Sequence, residues 1–247
     1  MRGFICSTLI SHFYNLKILQ PLRLLQDMIY PRVCHVCQRW LVTGEQGLCL
    51  HCFQELPKTG FGFQKGNPVE NLFRARIPIA YASAFIYFQE TGISKKILHD
   101  IKYLGGRELA STLGRLFAQE LLLHNTNFKP DGIIPVPLHP RKKRQRGYNQ
   151  SEAIASGMAE IFDCAMRTDI VIRKIYTQSQ TRRNRIDRWE NVEQVFGLNP
   201  KAKVHSGSYM LVDDVITTGA TLEACSQVLV KGKIGEIGIA GLALAKG

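Results

Sequence analysis

The chain has no apolar run of the roughly 18 residues that a membrane-spanning helix requires. Its N-terminal apolar stretch, residues 4–10, gives way at once to Ser11, His12 and Asn15, with no small-residue cleavage site behind it. Neither stable membrane insertion nor a secretory leader is expected, and the sequence reads as a soluble, cytoplasmic protein. Acidic residues are scarce: 20 Asp and Glu stand against 32 Lys and Arg, a formal charge of +12. Many soluble enzymes are merely basic, but the imbalance favours polyanionic partners over cationic ones. The signs of disorder are missing too, because 247 residues that are 45% apolar and 21% charged can bury a proper core, sized for one main domain and an appendage. An even cysteine count is also lacking. There are seven, with Cys6, Cys164 and Cys225 scattered singly, which argues against a disulfide framework and for a reducing compartment.

The other four cysteines form a pattern: Cys34-x2-Cys37, eleven residues, then Cys49-x2-Cys52. Two such pairs supply four thiolates for a tetrahedron, the closed coordination of a structural zinc site rather than a catalytic one. Pro31 precedes the first pair and Gly44 and Gly47 lie between the pairs, so the intervening loop can fold back. His35 and His51 sit within the knuckles, but the ligand set is complete without them.

Leu22, Leu25 and Ile29 share one helical face, predicting a short amphipathic helix over 21–30 that packs beside the cysteine module. With Arg23 as its one basic residue, core packing suits it better than a membrane surface. Residues 58–71, rich in Gly, Lys, Asn and Pro, read as a linker between an N-terminal unit, 1–60, and a main domain, 75–247. Within the latter, 79–88 is strand-like, and 93–103 and 107–123 have helical spacing, with Leu109, Leu113, Leu116, Phe117 and Leu121 on one broad face. Apolar runs at 132–136, 170–172, 209–212 and 237–244 then alternate with helices expected at 149–162 and 221–230. That alternation predicts an α/β fold with a parallel sheet covered on both faces. Ligands on such sheets sit at the carboxyl ends of the strands, where 135–150 and 213–221 fall.

Residues 210–222 read Met-Leu-Val-Asp-Asp-Val-Ile-Thr-Thr-Gly-Ala-Thr-Leu: a strand, an acidic pair, then a hydroxyl-rich turn opening a helix. Backbone N–H groups over Thr217, Thr218, Gly219, Ala220 and Thr221, the threonine hydroxyls and the positive end of the helix dipole make a phosphate cradle. Asp213 and Asp214 would repel a phosphate, but they can accept from neighbouring sugar hydroxyls and attract a hydrated magnesium ion. Ribose 5-phosphate fits that combination. Threonines alone would make a plain helix cap.

The whole stretch 210–222 resembles the thirteen-residue phosphoribosyl-pyrophosphate signature of type I phosphoribosyltransferases, without departing from its pattern. More narrowly, the chain resembles the competence protein F (ComF) family of phosphoribosyltransferase-like proteins. Three further segments carry that likeness: Ile101-Lys102-Tyr103 with Gly105; Pro135-Val136-Pro137-Leu138-His139-Pro140 leading to Arg146-Gly147-Tyr148-Asn149-Gln150; and 185–196 with Arg188, Asn191 and Phe196. The resemblance runs from about Pro21 onward. It implies a parallel-sheet phosphoribosyltransferase domain with a small N-terminal zinc-ribbon-like module. It also implies phosphoribosyl pyrophosphate as ligand, with magnesium.

In that family the loop after an early strand binds pyrophosphate, and Arg141, Lys142, Lys143, Arg144 and Arg146 stand in the matching place, five cations without an acid. Arg182, Arg183, Arg185 and Arg188 resemble the mobile loop that closes over the reaction. In a working transferase, Asp213 and Asp214 would be the catalytic carboxylates, holding ribose and stabilising the ribosyl cation as pyrophosphate departs. No set of groups in 61–88 reads a particular acceptor base. The family's association with natural competence implies a second reading, a single-stranded DNA binding protein with Phe61, Phe63, Tyr148 or Trp189 available for base stacking. A third is a catalytically silent sensor of phosphoribosyl pyrophosphate.

Overall fold

In the computed structural model, which describes residues 32–124, 129–174 and 195–245, strand β7 (Glu236–Ala245) is buried at every position between its first and last. A strand without polar alternation needs neighbours on both edges and cover on both faces. Both are present. The sheet runs β1 (Tyr81–Phe88), β7, β6 (Ser208–Ile216), β2 (Gly132–Pro135), β3 (Ala165–Met166), every adjacent pair parallel. Alternate residues point to opposite faces. Ile133, Met210, Val212 and Ala240 enter one buried cluster; Ile134, Leu211 and Ile239 enter the other.

Helices α3 (Ile93–Tyr103), α4 (Arg107–His124) and α6 (Gln150–Phe162) cover the first cluster. The second lies under α2 (Pro68–Phe73), α7 (Ala220–Lys231) and an antiparallel pair, β4 (Val171–Arg173) with β5 (Phe196–Leu198). A short basic helix, α5 (Pro140–Arg146), precedes α6, and α1 (Leu50–Gln54) belongs to the cysteine segment. α4 buries Leu109, Leu113, Phe117 and Leu121 as its spacing predicts, while Leu116 is only partly covered. α4 and α6 meet backbone to backbone at two glycines. A Cβ on Gly157 would lie 1.9 Å from the Ser111 carbonyl oxygen, and one on Gly114 would lie 2.2 Å from that of Ile154.

Two sequence expectations change. The run 170–172 does not join the parallel sheet; it forms β4, hairpin-paired with β5. Ile170 and Val171 are buried but Ile172 is exposed, so the run is covered incompletely, which suits an antiparallel pair lying over α7 rather than an inner strand. Residues 58–71, read as a linker, are instead seated on the main sheet. Tyr87 N donates to Pro57 O at 2.7 Å, Thr59 N donates to Phe85 O at 2.9 Å, and Lys58 bridges Ile86 across the outer side of β1. Asn67 is buried: its carbonyl caps α2 by accepting from Val69 N and Glu70 N, and its amide donates to Ala82 O at 2.7 Å. Turn-rich composition marks both linkers and such straps.

The cysteine segment is not separate from this core. Cys34, Leu48, Cys49, Cys52 and Leu56 lie in the same buried cluster as α3, α4 and α6. Arg115 of α4 ties the pieces together, donating to Gln46 Oε1 and Thr112 Oγ1, both at 2.9 Å, and to Glu160 Oε2 of α6 at 3.2 Å. Among the described residues no helix is long and apolar enough to cross a membrane. The helix expected over 21–30 lies outside the described residues.

Candidate functional site

After β2 the chain passes to α5 and α6 on one face; after the adjacent β6 it passes to α7 on the other. Neighbouring strands whose connections leave to opposite faces open a crevice at their carboxyl ends, where α/β sheets bind ligands. Asp213 and Asp214 follow the buried run Tyr209–Val212 of β6 there, with Asp213 in register with Gly241 on β7.

Beyond them the turn Thr217-Thr218-Gly219 enters α7. Gly219 takes φ 77°, and a Cβ there would meet the Phe73 ring at 2.9 Å, so both backbone shape and packing demand glycine. No side chain caps α7 at this position; the nearest contact is Thr218 Oγ1 accepting from Ala220 N at 3.4 Å. Thr217, Thr218, Ala220 and Thr221 are exposed. The helix therefore presents its first-turn N–H groups and its positive dipole end to solvent, as an anion site requires.

The acidic pair is tightly held. Asp213 Oδ1 accepts from Ser151 Oγ of α6 and from Asp214 N, both at 2.9 Å. Asp214 Oδ2 lies 3.5 Å from Lys102 Nζ of α3. Burial, then the neighbouring Asp214 charge, pushes the Asp213 carboxyl up to about 7, against opposing hydrogen bonds and Lys102.

An unfolded aspartate titrates near ~3.9, so across the interval up to about 7 the folded chain keeps a proton that the unfolded chain has released. Stability from this group is full below the lower value and lost as pH rises through the upper one. Asp213→Asn should thus be more stable than the wild type at pH 8, by on the order of 2 kcal/mol after discounting for solvent access to the half-buried carboxyl. The gap should close towards pH 4. Urea denaturation at both pH values checks this, and a difference independent of pH would contradict it.

A cavity of about 220 Å³ unites these groups, with Asp213, Asp214, Thr221, Lys102, Asn149 and Ser151 in its wall. Three further cations line it: Lys142 and Arg146 of α5, and Arg173 of β4. Lys142 and Arg146 are four residues apart, hence on one helical face. Arg141 and Arg144 are exposed on α5 and do not line the cavity, and Lys143 is turned to Glu152, 3.1 Å away. Arg146 donates to Gln150 Oε1 at 2.8 Å and lies 5.7 Å from the Tyr103 ring centroid. Arg173 lies 5.3 Å from the Phe196 ring centroid, and burial pulls its pKa below the ordinary arginine value. Such a half-desolvated guanidinium is suited to phosphate oxygens.

Sequence reasoning gave no role to Lys102, Ser151 or Arg173. Lys102 stood in a segment that carried the family resemblance; Ser151 and Arg173 carried no local signal. Arg182, Arg183, Arg185 and Arg188 lie outside the described residues, as does Trp189.

The aromatics considered for base stacking are occupied. Phe61 packs edge-on against Tyr87 at 5.8 Å, Phe63 against Tyr81 at 4.9 Å, and the Tyr148 hydroxyl donates to Ile101 O.

In the N-terminal segment, the ligand atoms of Cys34, Cys37, Cys49 and Cys52 lie within 4.8 Å of one another, with Cys37 Sγ and Cys49 Sγ 3.6 Å apart. A Zn–S bond of about 2.3 Å gives a tetrahedron with S–S edges of about 3.8 Å, so the donor set fits zinc. Knuckle bonds fix it: Cys34 N donates to Arg39 O at 2.8 Å and Gln38 N to Cys34 O at 2.9 Å. The Glu45 carboxylate accepts from Leu50 N at 2.7 Å and Val42 N at 2.9 Å, which holds it below the usual carboxylate range. His51 faces Glu55 at 3.6 Å, and neither it nor His35 belongs to the cluster.

No protein-family model matches the chain. It is 28% identical over 211 residues to the DNA utilization protein YhgH of Salmonella typhi, covering 81% of this chain and 92% of that one. It is 38% identical over 117 residues to the Competence protein F of Haemophilus influenzae, covering 47% of this chain and 51% of that one. Among solved structures, the glutamine phosphoribosylpyrophosphate amidotransferase from B. subtilis has a TM-score of 0.42 at 17% identity, over 58% of this chain and 30% of that one. Adenine phosphoribosyltransferase from Saccharomyces cerevisiae has a TM-score of 0.35 at 14% identity, over 54% of this chain and 69% of that one.

Proposed function

We propose, for a chain homologous to the DNA utilization and competence F proteins, that it binds phosphoribosyl pyrophosphate or a close relative and works in the use or uptake of DNA. The observation that carries this is the meeting of an acidic pair and three phosphate-suited cations around one cavity of about 220 Å³, which Thr221 of the open α7 N-terminus also lines. The 5-phosphate would sit on the turn 217–221, the ribose hydroxyls against Asp213 and Asp214, and the pyrophosphate against Lys142, Arg146 and Arg173. Arg141 and Arg144 extend the basic surface in the same proposal, which Arg182 and Arg185 join on the sequence resemblance alone.

Magnesium belongs to it as the ion that would neutralise pyrophosphate oxygens beside the acidic pair. Zinc belongs at the four cysteines of the N-terminal segment, 1–60, whose described part shares a core with the phosphoribosyl domain, 75–247. Given an acceptor, Asp213 and Asp214 would stabilise positive charge on the ribose ring as its bond to pyrophosphate loosens, and the arginines would hold the departing anion.

Calorimetry with phosphoribosyl pyrophosphate and magnesium tests the reading. The double change Asp213→Asn, Asp214→Asn should weaken binding about tenfold or more, each unit of ten being ~1.4 kcal/mol, with metal content unchanged. Unaltered affinity would remove the acidic pair from the site. Similarity to DNA utilization and competence proteins, with the +12 charge, favours a second reading, single-strand DNA binding on the same basic face. Its affinity should fall with salt at a slope of about 0.7 per phosphate contact, and phosphoribosyl pyrophosphate should compete. Fluorescence anisotropy measures both, and no binding at low salt leaves the small-molecule reading alone.

A further inference from the structure

An acidic pair beside a phosphate cradle invites a divalent cation, yet this pair already has a cation of the chain's own. Lys102 Nζ is 3.5 Å from Asp214 Oδ2, with the two side chains only 25% and 17% exposed. Asp213 turns one oxygen inward, where Ser151 Oγ and Asp214 N both donate to it. The ionisable groups of the cavity wall are Lys102, Lys142, Arg146 and Arg173 against Asp213 and Asp214, four cations to two carboxylates. A hard divalent ion entering unaccompanied would meet net positive charge, with one of its two carboxylates already ion-paired.

Lys102 is not a wandering surface lysine. It stands in the last turn of α3, where a cation also complements the helix dipole. The backbone around it is pinned: the Tyr148 hydroxyl donates to Ile101 O, and Leu104 N and Gly106 N donate to Asp100 O at 3.0 and 3.2 Å.

We propose that Lys102 is the resident counter-ion of the acidic pair and that it keeps a lone divalent metal ion out of the cavity, so that metal enters only with an anionic ligand. The ligand half rests on the phosphoribosyl reading above; the exclusion half stands on the Lys102–Asp214 ion pair by itself. A pyrophosphorylated sugar brings several negative charges, which draw the flexible lysine towards the phosphates and release Asp214. Lys102 is then a positioning residue that sets the order of binding.

The test uses zinc-loaded, full-length protein and Mn2+ alone as probe, with free Mn2+ followed by electron paramagnetic resonance. Lys102→Met should bind Mn2+ about tenfold or more tightly than the wild type, within the usual range of site coupling. Lys102→Arg should stay at the wild-type level, and Lys102→Met combined with Asp214→Asn should lose the gain. Lys102→Gln, with a melting curve for each variant, guards against a packing artefact of methionine. Equal Mn2+ affinity in the wild type and in both Lys102→Met and Lys102→Gln would overturn the proposal, as would tight binding that survives Asp214→Asn. Adding phosphoribosyl pyrophosphate should raise wild-type Mn2+ affinity beyond the ligand's own chelation. If it does not while Lys102→Met still gains, the ligand reading fails and the exclusion by Lys102 holds.

Discussion

Stripping metal from the purified protein with a strong chelator is expected to release about one zinc per chain and to lower the melting temperature by on the order of 10 °C. Structural zinc sites contribute folding free energy outright. Here the loss cannot stay local, because Cys34, Cys49, Cys52, Leu48 and Leu56 share their buried cluster with α3, α4 and α6. A loss of several kcal/mol corresponds to such a fall at ~2–4 °C per kcal/mol for a chain of this size. Without metal, burial raises the Cys49 and Cys52 thiols, whereas the Cys37 thiol is lowered to about 7, chiefly by a backbone hydrogen bond at Arg39. Rebinding should therefore release protons and weaken in acid. Elemental analysis and calorimetry decide it, with Cys34→Ser expected to mimic chelation and Cys164→Ser to leave metal content intact. A metal-free preparation that melts like the wild type would sink the proposal.

Gly157→Ala should be a severely damaging substitution in the described core, despite adding one methyl. In an exposed helix the change would gain up to ~1 kcal/mol of helix propensity. At Gly157 the new Cβ would stand 1.9 Å from the Ser111 carbonyl oxygen, 2.8 Å from its carbon and 3.0 Å from Arg115 N. All three are backbone atoms of α4, so no rotamer change relieves the contact and the helices must separate. Overpacking of this kind costs ~1–3 kcal/mol or more, and separation also loosens the first cluster. A net loss of about 3 kcal/mol is expected, with the start of α6, and hence Ser151 against Asp213, displaced. Urea denaturation measures the loss, and a neutral result would mean that α4 and α6 do not approach so closely.

Features that require particular residue types at fixed local spacing were legible in the sequence. The four cysteines, the acidic pair, and the turn from Thr217 into α7 are of that kind, and the long periodic helices α3, α4 and α6 follow directly from their apolar faces. What escaped was set by contacts distant in the chain. Ser151 matters because it meets Asp213, 62 residues away. Arg173 looked like the end of a short apolar run, and only the placing of the β4–β5 hairpin brings it to the cavity. The basic cluster 141–146 was visible as charge, but helical geometry divides it, setting the exposed Lys142 and the half-buried Arg146 along the cavity and turning Arg141 and Arg144 away from it. Residues 58–71 have a composition that cannot distinguish a tether from a strap.

That strap has a consequence for how the molecule behaves in company. An outermost strand with unsatisfied N–H and C=O groups is a template on which a second chain can add itself, the usual start of aggregation and strand exchange. On one border of this sheet, residues 57–59 already occupy the outward groups of β1 from Tyr87 to Phe85. On the other, β3 is only two residues long, too short to seed a lasting pairing. Strap and short strand together leave little open edge on either border, which lowers the tendency of a second copy to add a strand to the sheet.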